Sequence, residues 1–198
     1  MIKAIIFDLD GVLITTRFFS ERFEEKYNIP VAKFLPVLRK ILAKATLTNS
    51  FDSFIYWEPY LKEWGVDLSR EDFFDSWFQD EKLAPEMAKL INKIKSKKLK
   101  TFILSDNFKE RTDYLEKKFP ILVKNIGKRY YSWQTGLLKP DSRAYQQILK
   151  ENNLDSQECL YFDDEKDNVE AANKLGIKSF IFKEAKETRE ILIKNKVI

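Results

Sequence analysis

The stretch that most limits what this chain can become is its beginning, Lys3-Ala4-Ile5-Ile6-Phe7-Asp8-Leu9-Asp10-Gly11-Val12-Leu13. Four apolar residues, Ala4 to Phe7, run straight into two aspartates at i and i+2, and Gly11 follows at once. A short continuous apolar run closed by a turn signal is the pattern of a strand buried on both faces, as in parallel sheets. Side chains alternate along a strand, so Asp8 and Asp10 should project to one side of the sheet at its carboxyl end. Gly11 lets the backbone turn sharply there. Two carboxylates at the mouth of a buried strand are costly unless a cation or a catalytic task accounts for them. The alternative is a solvated polar turn, because Asp and Gly are both common turn residues.

After this strand the character changes. From about Thr16 to Leu83 the periodicity is helical and no strand is predicted. Phe19, Phe23 and Tyr27 share one helix face; Val31, Phe34, Leu35, Leu38 and Leu42 define a second; Phe54, Trp57, Leu61 and Trp64 define a third. Asn28 to Pro30 and Gly65 to Ser69 separate helices, and Ser69 with Asp72 resembles a capping box in which Asp replaces Glu or Gln. Of the chain's 28 aromatic residues, 15 lie between Phe18 and Phe78. They either fill the core of a small helical bundle or line a ligand pocket; a bundle of this size needs large side chains to bury enough area.

From Ala84 onward short strands and helices alternate. Pro85 opens a helix to about Lys97, as suits proline in a first helical turn. Thr101 to Leu104 is a strand ending in Ser105-Asp106-Asn107, and a helix spans Lys109 to Lys118. Ile121 to Ile126 is a further strand candidate, and Lys128 to Trp133 is either a short strand or an irregular approach to the next loop. Pro140 starts a helix to about Glu151. Cys159 to Phe162 is a strand ending in Asp163-Asp164, followed by a helix from Lys166 to Leu175 that stops at Gly176. Ser179 to Phe182 is the last strand and Glu184 to Lys196 the last helix. This alternation implies an α/β fold with a doubly wound, Rossmann-like parallel sheet and right-handed crossovers. Residues 1–15 and 84–198 would form its core, and 16–83 an inserted all-helical domain.

In such sheets ligands bind beyond the carboxyl ends of the strands. Three later clusters fall at or near that rim. The Ser105 hydroxyl and the amides after it suit a phosphate. Lys139, just ahead of Pro140, suits an anion. Asp163 and Asp164 would repel each other without a cation between them, and hard oxygen ligands favour magnesium over zinc. An EF-hand does not fit, because its sixth position is Asn168 rather than glycine and its twelfth is Lys174 rather than Glu.

Composition narrows the chemistry. The chain contains no histidine, which excludes Ser-His-Asp and Cys-His catalysis and histidine-based zinc sites. A single cysteine, Cys159, cannot form an internal disulfide, and the N-terminus enters a strand without a signal sequence; a cytoplasmic location is expected. The net charge is +4 from 35 basic and 31 acidic residues. The densest basic run, Lys93 to Lys100, reads as a solvated helix end rather than a nucleic-acid patch. No apolar run is long enough to cross a bilayer.

Taken in order, FDLDGVL, ILSDN, LLKPDSRAY and YFDDEKDNVEAANKLGI resemble the four motifs of the haloacid dehalogenase-like hydrolase superfamily, over essentially the whole chain. The insertion after the first motif is similar to the helical cap of that family's phosphatase, phosphomutase and dehalogenase branch. The resemblance implies a magnesium-dependent phosphomonoester hydrolase acting on a small phosphorylated metabolite such as a sugar phosphate or nucleotide. It implies Asp8 as the nucleophile forming an aspartyl phosphate, and Asp10 as the acid and base. Magnesium would be held by the Asp8 side chain, the Asp10 carbonyl and Asp164, with Asp163 direct or indirect. Ser105, the amides of Asp106 and Asn107, and Lys139 would bind phosphate, with the Asp106 carboxylate turned away. Asn168 would orient the metal loop, Gly11 would form the exit toward the cap, and Arg17 and the cap aromatics would contact substrate. A phosphomutase or a catalytically silent binding module is the alternative; a dehalogenase is disfavoured by the acid at position 10. The expected partner is the metabolite alone, not nucleic acid or membrane, bound by a monomer or homodimer.

Overall fold

The structure is a computed structural model that describes residues 1–48, 50–97 and 99–198. In chain order it contains β1 (Ala4–Phe7), β2 (Ile14–Thr15), α1 (Phe19–Tyr27), α2 (Val31–Ala45), α3 (Ser53–Glu63), α4 (Arg70–Phe78) and β3 (Lys82–Leu83). There follow α5 (Pro85–Lys95), β4 (Lys100–Ser105), α6 (Lys109–Lys118), α7 (Ile121–Lys124), β5 (Lys128–Tyr131), α8 (Ser132–Thr135) and α9 (Ser142–Asn152). The last elements are β6 (Cys159–Asp163), α10 (Lys166–Lys174), β7 (Lys178–Ile181) and α11 (Ala185–Lys194).

Five strands form one sheet in the order β5-β4-β1-β6-β7, and every pairing is parallel. The expected doubly wound α/β fold is present. β1 lies at its centre with both faces covered. Ile5 and Phe7 join Met87, Ile91 and Ile94 of α5 and Leu192 of α11 on one face. Ala4 and Ile6 join Tyr145 and Ile148 of α9 and Ala172 of α10 on the other. That two-sided burial is why the opening strand reads as unbroken apolar sequence. Cys159 is one more buried side chain of this sheet.

The four inserted helices have their own apolar cluster, built around Phe23, Phe34, Trp57, Phe73 and Phe78, with Phe108 reaching in from the start of α6. Phe34 stacks on Trp57 with ring centroids 5.0 Å apart, and Trp57 meets Trp77 edge-on at 5.8 Å. Most aromatics of this segment are therefore packing groups. None of the helices among the described residues is long and apolar enough to cross a membrane.

The structure departs from the sequence expectations in several places. The segment thought free of strands contains β3, which pairs antiparallel with β2, so a two-stranded ribbon carries the chain into and out of the insert. Each strand has two residues, too few to show alternation. Ile121 to Ile126 is not a strand: α7 begins after Pro120, whose φ of −57° is already helical, and Leu122 and Ile126 are buried at helical spacing. Lys128 to Tyr131 takes the edge position instead. In α2 the fully buried stripe is Phe34, Ile41 and Ala45, while Leu35, Leu38 and Leu42 are only half-buried. Asp72 is too short to complete a capping box, so its carboxylate accepts the Ser69 hydroxyl at 2.6 Å while its amide donates to that hydroxyl. α9 starts after its cap Asp141 rather than at Pro140, with the Asp141 carboxylate accepting from the Arg143 amide at 2.9 Å. α5 ends at Lys95; within the basic run that follows, Lys98 lies outside the described residues.

Truncating Trp57, which has no exposed surface, should leave a cavity in the insert. Trp57→Ala is expected to lower stability by about 3–5 kcal/mol in urea denaturation followed by circular dichroism.

Candidate active site

The carboxyl ends of β1, β4 and β6 place Asp8, Ser105 and Asp163 side by side. The Asp8 amide donates to the Phe162 carbonyl at 2.9 Å, so the ladder between β1 and β6 continues one residue past the strand. Lys139 arrives from the loop ahead of α9. Its ammonium lies 2.8 Å from Asp8 Oδ1 and 2.7 Å from Asp163 Oδ2, and it is almost wholly buried. The loop is held by Asp106, whose two carboxylate oxygens each accept the Lys139 main-chain amide at 3.1 Å. Burial acts to lower the Lys139 pKa, but the carboxylates of Asp8 and Asp163 outweigh it and hold the ammonium above its ordinary range. Burial pushes the Asp8 carboxyl up to about 8, with Lys139 pulling in the opposite direction.

Asp163 and Asp164 have different surroundings. Asp163 is fully buried and saturated with donors: the Glu165 amide at 2.8 Å, the Asn168 side chain at 3.1 and 3.2 Å, Lys139, and the Tyr161 hydroxyl. Asp164 is exposed and faces the cleft over Gly11. Gly11 has φ +69°, and a Cβ there would stand 2.1 Å from Asp164 Oδ2. The turn therefore needs glycine both for its backbone and for the space above it. Carboxylate oxygens of Asp8, Asp163 and Asp164 lie within 4.8 Å of one another, a spacing that suits a hard cation.

Asp10 lines the same cavity but is held by different donors. Its two oxygens accept from Arg111 at 2.7 and 2.5 Å, and one of them also accepts from the Asn107 side chain at 3.2 Å. Arg111 is buried; its other edge pairs with Glu81 at 2.7 and 3.0 Å. Burial alone would lower the Arg111 pKa, but Asp10 and Glu81 more than reverse it. The Asn107 amide donates to the Ser132 hydroxyl at the start of α8, which in turn donates to the Asn107 carbonyl.

The expected residues Asp8, Asp10, Ser105, Asp106, Lys139, Asp164 and Asn168 surround one small cavity of 220 Å³. Asn107 and Gly11 line an adjoining one of 540 Å³, which extends toward α2. Arg17 lies in the wall of the larger cavity, with its guanidinium 2.6 Å from Glu25 and more than half exposed. Arg111 and Glu81 escaped the sequence reading. Arg111 sits in KERTDYLEKK, which looks like a solvated helix; the one usable signal was its i, i+4 phase with buried Leu115. Nothing local distinguishes Glu81.

This rim geometry on a doubly wound parallel sheet agrees with the family the motifs resemble. The chain belongs to the haloacid dehalogenase-like hydrolases, whose family model matches residues 2–176. Among individual proteins it is 26% identical over 208 residues to Phosphatase MT3486 of Mycobacterium tuberculosis, covering 98% of this chain and 93% of that protein. It is 25% identical over 199 residues to the phosphorylated carbohydrates phosphatase of Thermotoga maritima, covering 88% and 82%. It is 27% identical over 186 residues to mouse acyl-CoA dehydrogenase family member 10, covering 88% of this chain but spanning only 17% of that protein. The fold is shared with HAD family enzyme bt-2542 of Bacteroides thetaiotaomicron, at TM-score 0.80 and 21% identity over 92% of this chain and 94% of that one. That enzyme has also been crystallised with magnesium and inorganic phosphate.

Two substitutions test the geometry. Gly11→Ala should cost about 1–2 kcal/mol from the left-handed backbone and displace Asp164, seen respectively by urea titration and in the variant's crystal structure. Arg111→Ala leaves Glu81 buried without its partner and should cost about 3–5 kcal/mol. Adding Glu81→Leu to Arg111→Met should recover most of that loss in the same assay.

Proposed function

We propose that this protein is a magnesium-dependent phosphomonoester hydrolase that acts through a phosphoryl-aspartate at Asp8. The observation that carries the reading is the Lys139 ammonium set between Asp8 and Asp163, with Asp164 opposite across Gly11. Three clustered carboxylates against one ammonium leave two negative charges (three minus one), and a divalent cation balances them. The all-oxygen donor set fits magnesium better than a softer metal. Asp8, Asp164 and the Asp10 carbonyl would hold the ion; Asp163, already saturated by protein donors, would fix Lys139 and the loop through Asn168. When bound, magnesium would supply charge neutralisation for the incoming phosphate and keep Asp8 ionised.

The protein's own groups then divide the work. Lys139 screens Asp8 from the dianionic substrate, so the carboxylate can approach phosphorus. Asp8 Oδ forms the bond to phosphorus as the ester oxygen leaves, and Asp10 gives that oxygen a proton. In the second half, Asp10 takes a proton from water, the water oxygen attacks phosphorus, and the Asp8 carboxylate is released with inorganic phosphate. Arg111 and Asn107 hold Asp10 on the lining shared by the two cavities, and one Arg111 contact has to open before an Asp10 oxygen can carry the proton. Ser105 and the Asp106 amide bind the phosphoryl oxygens; the Asn107 amide, expected to share that role, already donates to the Ser132 hydroxyl. We assign 1–15 and 84–198 to the catalytic core and 16–83 to a cap that covers it. The phosphatase names of two relatives support hydrolysis over transfer to a second sugar hydroxyl.

Phosphate release should stop in excess chelator and return with added magnesium; release that persists undiminished would remove the metal from the mechanism. Asp8→Asn should lose at least a thousandfold in kcat while its circular dichroism stays that of the parent. Asp164→Asn should raise the magnesium concentration needed for half-maximal rate.

A further inference from the structure

Past Asp10 the cleft opens into the 540 Å³ cavity under α2, a volume within the range of about 300–1,000 Å³ usual for small-molecule pockets. Its far wall is made by Leu35, Leu38 and Leu42 of α2 together with Phe18, Trp77 and Phe108. Phe18 is 71% exposed, and the three leucines are half-buried on the flank of α2 beside the fully buried stripe, where Leu38 and Leu42 also pack against the insert's core. This is apolar surface presented to the space where the alcohol half of a phosphate ester would sit.

Two hydroxyls of the wall are already engaged. The Thr46 hydroxyl donates to the Leu42 carbonyl at 2.7 Å and the Thr16 hydroxyl to the Arg17 carbonyl at 3.1 Å. Its two cations among the described residues are engaged as well, Arg111 by Asp10 and Glu81 and Arg17 by Glu25. Asp106, Asp164 and Glu165 on the same lining add negative charge. A second phosphate or carboxylate would meet repulsion without an unpaired cation. Against the leucines and aromatic rings, a sugar would surrender water from several hydroxyls and regain few hydrogen bonds.

We propose that this cavity takes the leaving group of a phosphate monoester of an uncharged, predominantly apolar alcohol, aromatic or branched aliphatic, and selects against polyhydroxylated and doubly anionic substrates. The inference rests on the phosphatase reading and narrows its substrate class away from sugar phosphates and nucleotides.

Phosphate release from benzyl phosphate, glucose 6-phosphate and fructose 1,6-bisphosphate compares three primary esters with leaving alcohols of similar basicity. The kcat/KM for benzyl phosphate should exceed the other two at least tenfold, within the roughly 10–200-fold that apolar pocket contacts provide. Leu38→Arg should remove most of that preference and narrow the gap to the bisphosphate; the milder Leu35→Ser should lower benzyl phosphate turnover severalfold. Equal or better turnover of either sugar phosphate overturns the inference and leaves the hydrolase reading standing. If no ester is hydrolysed, the hydrolase reading falls, and calorimetry with benzylphosphonate and methylphosphonate still reads the cavity. Tenfold tighter binding of the benzyl compound upholds the ligand class; equal or absent binding overturns it.

Discussion

β1 is hydrogen-bonded in parallel on both edges, to β4 from Ala4↔Lys100 to Phe7↔Ile103 and to β6 from Ala4↔Cys159 to Phe7↔Phe162. Parallel strands all finish at the same end of a sheet, so these two registers decide which side chains share the rim. With Phe7 opposite both Ile103 and Phe162, the next residues to emerge are Asp8, Ser105 one step further along β4, and Asp163 at the close of β6. A slip of one residue would turn Ser105 in the β4 ladder, or Asp163 in the β6 ladder, to the other face and break the constellation. The two apolar clusters on either face of the sheet are what hold that register.

Packing carboxylates this closely is unfavourable on its own, and the structure meets the repulsion with specific donors. Asp163 is satisfied by four different residues and serves as an anchor for Lys139. Lys139 is placed by Asp106 through its backbone, so an acidic side chain that would oppose phosphate is occupied with holding the lysine loop. Asp164 keeps its exposure because Gly11 has no Cβ to displace it. The site is thus a set of charges whose positions are each determined by a different neighbour.

A buried arginine is one of the ties between the helical insert and the sheet. Arg111 belongs to α6 beside the sheet, Glu81 precedes the return strand β3, and Asp10 lies in the turn after β1. A buried arginine shared by two carboxylates couples the return path of the insert to the residue proposed for proton transfer. The same insert provides the leucines of α2 that face the cavity. Its aromatic interior, held by rings such as Phe34, Trp57 and Phe73, makes that wall a firm surface.

The sequence by itself determined the sheet and its acidic rim, because those features are local. An apolar run ending in Asp8-Leu9-Asp10-Gly11 states strand, direction and turn within eight residues, and CLYFDD repeats the device. The aromatics at helical spacing likewise marked the insert. Tertiary structure alone decided what the local pattern could not encode. The two-residue strands β2 and β3 exist only because each pairs with the other across nearly seventy residues of chain. Ile121–Lys124 became helical although its apolar run suited a strand, since Pro120 starts the turn and β5 fills the sheet edge. Leu38 and Leu42 do pack against the insert's core, but with Leu35 they also line a cavity, because helical phase specifies a side of α2 and not what lies opposite it. Arg111 and Glu81 are ordinary charged residues in polar segments. Their meeting with Asp10 depends on burial and on distances between elements far apart in sequence, and no spacing along the chain records either.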